Sequence, residues 1–157
     1  EQKKAQIVHG KRIEADYIVN WFLEQSKKYY IKKICMDMFR AKILQPALEE
    51  AGFEVEIVRS GSITHTLLKE VVDDLFIGQK IYFGDDALQR WYCMNVYEEH
   101  VGNGNIRYEK IDPETRKTDG FFSMLHGLNC LEEIYDSEPI TMVNPLGDSG
   151  GFQPLVF

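Results

Sequence analysis

The spacing of apolar residues along the chain predicts five helices. Apolar positions recur every three or four residues, the period of an amphipathic helix, in residues 15–30, 39–51 and 62–78. The same period continues from a cap at Asp85 to Val96, and from a cap at Thr118 to Leu131. Ser62 or Thr64 is the expected cap of the third helix. Pro46 lies inside the second helix, where a residue without an amide hydrogen predicts a kink or a broken turn.

Shorter runs of apolar residues predict strands between these helices. They cover residues 6–9, 31–37 and 53–60, and residues 80–83 form a further short extended piece. Residues 98–101 and 106–111 are expected to pair as a hairpin across Gly102-Asn103-Gly104-Asn105, which is a strong turn signal. This order predicts an α/β layered fold, with a central, mostly parallel sheet flanked by helices and a hairpin before the last helix.

Length and composition predict one intracellular globular domain. The chain has 157 residues, of which 44% are hydrophobic and 27% charged, and no apolar run approaches the roughly 20 residues that cross a bilayer. After residue 135, prolines and glycines break the pattern, so we expect a domain over 1–135 and a loop or disordered tail over 136–157. The three cysteines are scattered without CxxC spacing, which predicts reduced thiols and neither disulfides nor zinc.

Two aspartates are the strongest candidates for chemistry. Asp37 ends a predicted strand, where α/β folds commonly build their sites. Asp119 opens the last predicted helix directly after Arg116 and Lys117. Each aspartate has a structural alternative, because Asp37 could cap the following helix and Asp119 could interact with the helix dipole. If the two converge, their oxygens could bind a divalent cation.

The basic residues are clustered, although the net charge is −7. A net negative charge argues against nonspecific binding of nucleic acid by the whole surface. One basic cluster nevertheless lies beside Asp119 and could hold a phosphate backbone. Its members are Arg107, Lys110, Arg116 and Lys117.

Three segments together resemble the nuclease domain of phage large terminase subunits. A strand ending in Asp37 followed by FRAKILQPALEEAGFEVEIV resembles the second acidic motif of that family. The segment GQKIYFGDDALQRWYCMNVY resembles the stretch before the family's hairpin. The segment NIRYEKIDPETRKTDGFFSMLHGL resembles the third acidic motif, in which basic residues lead to an Asp-Gly pair that opens an apolar helix. The match extends roughly from Gln6 to Ile134.

The resemblance implies a ribonuclease-H-like fold in which three acidic residues hold two Mg²⁺ or Mn²⁺ ions. Asp37 and Asp119 would be the second and third acids and the metal ligands. The first acid is expected on a strand before Gln6, so the chain is expected to be a fragment without that strand and inactive alone. No GxxxxGK[ST] motif of an ATPase motor is present.

The function implied by the resemblance is metal-dependent endonucleolytic cleavage of concatemeric DNA during genome packaging. The implied partners are double-stranded DNA, the terminase ATPase domain, the small terminase subunit and the portal. The implied location is the cytoplasm of a bacterial host. Lys110, Arg116 and Lys117 are the expected contacts to the DNA backbone. The rival interpretation is a nonenzymatic α/β interaction module or inactive prophage remnant.

Weaker candidates surround this site. His100 could orient water or bind metal, with a plain surface histidine as the alternative. Asp112 precedes a proline and is expected to form a turn, with metal contact as the alternative. Asn95, expected within a helix, could be a buried hydrogen-bonding residue that fixes the hairpin. His65 and His126 have no partner that the sequence reveals.

Overall fold

The described part of the chain forms five helices and two pairs of strands. The computed structural model describes residues 8–10, 12–39 and 41–131. The elements are, in order, α1 (Ala15–Ser26), β1 (Ile34–Met36), α2 (Ala41–Glu50), β2 (Val55–Ile57), α3 (Ser62–Phe76), α4 (Ala87–Met94), β3 (Val96–His100), a 3₁₀ turn (Gly102–Gly104), β4 (Ile106–Lys110) and α5 (Asp119–Leu128). The predicted α/β class is confirmed, as is the hairpin before the last helix.

The strands form two small sheets within the described residues, where the sequence predicted one central sheet. β1 and β2 pair in parallel, with Cys35 opposite Glu56. β3 and β4 pair antiparallel, with Val96 opposite Lys110 and His100 opposite Ile106. Residues 80–83 belong to no strand. The amides of Lys80 and Ile81 instead donate to the carbonyl of Leu75, so this segment closes the end of α3.

The main core lies where α3 and α5 cover the hairpin. One group of apolar side chains from these three elements is nearly inaccessible to solvent. The buried cluster consists of Leu68, Val72, Ile106, Tyr108, Phe121 and Leu125. A second group, formed around the parallel pair and α2, buries Ile34, Leu48 and Val58. Because α5 also contacts β1, the two groups bring the end of the parallel strands next to the hairpin.

Several predicted helix ends are wrong. α3 begins after Gly61 without a side-chain cap, and the hydroxyl of Thr64 donates instead to the carbonyl of Arg59. The cap of α4 is Asp86, not Asp85, because a carboxylate oxygen of Asp86 accepts the amide hydrogen of Gln89. α4 ends at Met94, so Val96 belongs to a strand and not to the helix.

Other predictions fall partly or wholly outside the described residues. Residues 8 and 9 are in no strand, whereas residues 6 and 7 of that predicted strand lie outside the described part. The predicted tail over 136–157 also lies outside it. α2 continues through Pro46, so of the two predicted alternatives, a kink or a broken turn, the broken turn is wrong. No helix in the described ranges is both long and apolar enough to span a bilayer.

Candidate functional site

Asp37 and Asp119 line the same open cleft, which has a volume of about 420 Å³. Asp37 directly follows β1, and Asp119 is the first residue of α5. The packing of α5 against β1 brings these two positions together although they are distant in sequence. The other lining residues include Ser60, Lys110, Ser123 and His126. With Thr118, the cleft therefore combines two carboxylates, one ammonium group and four other polar side chains.

The carboxylate of Asp37 is held by a local turn. One of its oxygens accepts the amide hydrogen of Phe39 at 2.8 Å. A bond from an aspartate to the amide two residues ahead is an Asx turn, which orders the loop before a helix. The bond ends at Phe39, two positions before α2 begins, so Asp37 orders the approach to this helix and does not cap its first turn. The side chain is exposed, and its second oxygen is not used in this turn.

The position of Asp119 depends on the buried Asn95. This side chain is fully inaccessible to solvent. Its amide nitrogen donates to the carbonyl of Lys117 at 2.8 Å, and its oxygen accepts from Arg116 at 3.2 Å. The predicted role of Asn95 as a buried hydrogen-bonding residue is confirmed, but it lies at the end of α4 and not in mid-helix. These bonds fix the backbone that leads into Asp119.

Gly120 allows α5 to begin close to α4. A side chain at this position would overlap the ring of Tyr92 and the amide oxygen of Gln89. The carbonyl of Gly120 also accepts a hydrogen bond from the Gln89 side chain at 3.0 Å. The Asp-Gly pair of the sequence motif therefore has a packing reason, because only glycine leaves room for this approach.

The three predicted basic contacts lie in different surroundings. Lys110, at the end of β4, lines the cleft. The guanidinium group of Arg116 donates to the oxygen of Asn95, so this residue supports the backbone before α5. Lys117 is exposed, and its carbonyl is bound by Asn95. Neither Arg116 nor Lys117 is among the residues that line the cleft.

His100 and Asp112 lie outside the cleft. His100 is 82% exposed beside Glu98 at the turn end of the hairpin. It is four positions along the ladder from the Val96–Lys110 pair that adjoins the cleft, or roughly 13 Å at the rise of a strand. The Asp112 carboxylate accepts bonds from Thr115 and from the amide of Glu114, and the Thr115 hydroxyl above all lowers its pKa. His100 is therefore a surface histidine, which was the alternative to a role at the metal site, and Asp112 forms the expected turn.

The sequence did not reveal the two buried histidines, His65 and His126. His65 is 3% exposed, and one ring nitrogen accepts the amide hydrogen of Tyr108 at 3.0 Å. His126 lines the cleft two helical turns after Asp119, and its Nε2 has no hydrogen-bond partner among the described residues. The spacing of His126 from Asp119 places both on one helical face, and this is the signal that could have identified it.

The two buried histidines should make the free energy of unfolding increase with pH. Burial lowers the pKa of His65 and of His126, and the proximity of His126 lowers that of His65 further. The unfolded chain, whose histidines titrate near 6.5, therefore binds more protons than the folded chain below that pH. The free energy of unfolding should therefore rise as the pH is raised towards about 6.5 and level off above it, with a slope of up to about 1.4 kcal/mol per pH unit for each histidine.

Urea unfolding over this pH range measures that rise. Histidine ring resonances, assigned by single substitutions, report the two titrations directly. Stability that falls as the pH rises, or titration of either buried ring at or above about pH 6.5, would contradict the expected effect of burial.

The cleft offers two carboxylates to a divalent cation. The described residues contain no group of three His, Cys, Asp or Glu side chains arranged to hold a metal ion. Two carboxylates nevertheless fit Mg²⁺, which keeps several waters and is commonly bound by one or two carboxylates together with substrate phosphates. Asp37 and Asp119 are the residues that would hold it. The third acid that the resemblance implies is expected before Gln6, outside the described residues.

The thiols do not suit nucleophilic chemistry. Cys35, Cys93 and Cys130 are free thiols in the structure. Burial raises the pKa of Cys35 to about 12 and that of Cys93 to about 11, so the reactive thiolate form is rare at neutral pH. Cys35 is half-buried and lines the cleft.

Comparisons with known proteins give no match. No family model, curated protein or solved structure is significantly similar to this chain.

Proposed function

We propose that this chain is the nuclease domain of a phage or prophage large terminase subunit. Such a domain cuts concatemeric double-stranded DNA during genome packaging, in the cytoplasm of the bacterial host. The observation that carries the proposal is that Asp37 and Asp119, the two acids singled out by the motifs, line one open cleft together with Lys110. The proposal includes a ribonuclease-H-like layering of the strands and helices.

In this proposal the cleft residues divide into two roles. Asp37 and Asp119 would bind Mg²⁺ or Mn²⁺ through their oxygens. When bound, the cation would supply positive charge that stabilises the negative charge developing on the cleaved phosphodiester. Lys110 would attract a phosphate of the DNA backbone, a local interaction that does not require a positive net charge. The terminase ATPase domain, the small subunit and the portal would be the partners of the assembled motor.

One observation favours a nonenzymatic interaction module as the second candidate. No three metal-binding side chains are grouped within the described ranges, and a nuclease that uses two cations needs more ligands than two aspartates. An inactive remnant would keep the fold and the packing of α5 while losing this chemistry. The two candidates differ in whether DNA cleavage depends on Asp119.

Plasmid relaxation tests the nuclease proposal. We compare residues 1–157 with a longer polypeptide that begins further upstream in the natural gene and carries the implied first acidic strand. The longer polypeptide should relax supercoiled plasmid in the presence of Mn²⁺, and EDTA should stop the reaction. Residues 1–157 alone should relax it poorly or not at all, because two carboxylates hold the cation weakly. Failure of the longer polypeptide to cut DNA with Mg²⁺ or Mn²⁺ would favour the interaction module.

Titration calorimetry with residues 1–157 tests the metal site separately. We expect weak Mn²⁺ binding that is lost when Asp37 is replaced by asparagine, because the neutral amide removes half of the available negative charge. Replacement of Asp85, an exposed aspartate outside the cleft, is the matched control and should leave binding unchanged. Tight binding that survives Asp37→Asn would mean that another group of residues holds the metal.

A further inference from the structure

Ser60 lies where the cleft of Asp37 and Asp119 adjoins a second cleft. It is in the connection between β2 and α3, and it lines both cavities. The second cavity, of about 430 Å³, is also lined by His65, Arg107 and Glu109. The Ser60 hydroxyl can act as donor or acceptor. The direction of its hydrogen therefore decides whether it donates a hydrogen bond to a ligand or accepts one. The neighbouring His65 determines this direction.

The tautomer of His65 follows from its hydrogen bonds. Its Nδ1 accepts the backbone amide hydrogen of Tyr108 at 3.0 Å, and an amide can only donate. Burial lowers the pKa of the ring, so it is neutral at neutral pH. A neutral imidazole carries one hydrogen, which must then be on Nε2. The rings of Tyr108 and Phe122, with centroids 5.5 and 5.8 Å away, pack beside this imidazole.

The Nε2 hydrogen of His65 therefore points to Ser60. The distance from Nε2 to the Ser60 hydroxyl oxygen is 3.3 Å. Since Nε2 has no free lone pair, it cannot remove the hydroxyl hydrogen, and the pair cannot act as a serine nucleophile with its base. The serine oxygen accepts from His65 and keeps its own hydrogen. Among the described residues, no acceptor for this hydrogen is within bonding distance.

We propose that Ser60 is a DNA-binding residue that donates its hydroxyl hydrogen to a backbone phosphate oxygen in the cleft. This inference rests on the proposed nuclease function. Ser60 follows β2, whereas Lys110 ends β4, so the two would contact the phosphate backbone from different elements around the cleft. Lys110 contributes charge, and Ser60 contributes a directed neutral donor. His65 is a positioning residue. It donates to the Ser60 oxygen, and its other ring nitrogen accepts from Tyr108, so it connects the Ser60 hydroxyl to the hairpin.

Salt-dependent DNA binding by the longer polypeptide tests this role. Fluorescence anisotropy is recorded with a DNA duplex in the presence of Ca²⁺, and gels confirm that the DNA stays intact. Ser60→Ala should weaken binding by about tenfold or more at every salt concentration, because a hydrogen bond from a neutral hydroxyl to a charged phosphate is lost. Lys110→Ala should weaken binding and also reduce the slope of log affinity against log salt by about 0.9, which corresponds to one phosphate contact.

Two further variants separate a lost hydroxyl from a disturbed fold. Ser60→Thr keeps a hydroxyl and should restore most of the affinity. Ser26→Ala removes a hydroxyl that bonds the carbonyl of Leu23 on α1 and should leave DNA binding unchanged. Wild-type affinity in Ser60→Ala, beside normal binding by the unsubstituted protein, would overturn the role of Ser60 alone. Absence of DNA binding by the unsubstituted protein would overturn the nuclease proposal as well.

The tautomer itself is measurable in residues 1–157. Nitrogen-15 chemical shifts of the His65 ring should show a protonated Nε2 and an unprotonated Nδ1 at neutral pH. The opposite tautomer would leave Nε2 as an acceptor of the Ser60 hydrogen, and it would overturn the proposal without any DNA experiment.

Discussion

Replacing Asp119 with asparagine in the longer polypeptide is expected to reduce plasmid relaxation by about 100-fold or more. The change removes one negative charge from the cleft and keeps the size of the side chain. Loss of a metal-binding carboxylate weakens charge stabilisation in the transition state by several kcal/mol, and each 1.4 kcal/mol corresponds to a tenfold change in rate. The initial rate of relaxation, measured over a range of Mn²⁺ concentrations, provides the comparison.

Asp112→Asn is the matched control for this substitution. It makes the same chemical change seven positions earlier, in a carboxylate occupied by the turn bonds to Glu114 and Thr115. Asparagine also forms such turns, so the chain should fold and cut plasmid at nearly the rate of the unsubstituted protein. Equal cutting by the Asp119 and Asp112 variants would show that Asp119 serves only as an acidic residue at a helix start. That role alone stabilises a helix by about 0.3–1 kcal/mol.

Local sequence signals predicted the hairpin well. Asn103 and Gly104 adopt positive φ angles of 63° and 74°, a conformation that asparagine and glycine tolerate better than other residues. The end of α4 was harder to predict, because Val96 continues the apolar period of that helix. The chain leaves the helix at Asn95, whose carbonyl accepts the amide hydrogen of Ile111, the residue that follows β4. Such a competing long-range bond has no local sequence signal.

The candidate site shows the same division between local and distant effects. The point where β1 ends and the point where α5 begins were predictable from local patterns. These two points determine the positions of Asp37 and Asp119. The surroundings of Arg116 were not, because its partner Asn95 lies 21 residues away. The tautomer of His65 depends on the amide of Tyr108, 43 residues away. Contacts of this kind depend on which surfaces pack together. The helix and strand periods of a single sequence do not specify that packing.

Replacing Gly120 with alanine is expected to destabilise the fold by about 2 kcal/mol. The added methyl group would overlap the Tyr92 ring and the side-chain oxygen of Gln89, where α5 begins against α4. Overpacking of this kind typically costs about 1–3 kcal/mol, because neighbouring side chains or the backbone must shift. The free energy of unfolding, measured with urea in residues 1–157, reports the loss. The same shift would displace Asp119, so cleavage by the longer polypeptide should fall as well.

Gly127→Ala is the control because it makes the same change in the same helix. A methyl group at position 127 would meet no atom within 4 Å, so the helix gains only the higher propensity of alanine. This gain is worth about 0.5–1 kcal/mol, and the two substitutions should therefore shift the stability in opposite directions. Stabilisation by Gly120→Ala comparable to that by Gly127→Ala would mean that α4 and α5 are not in close contact at Gly120. The Asp-Gly pair would then have no packing reason, and the position of Asp119 in the cleft would lose its structural support.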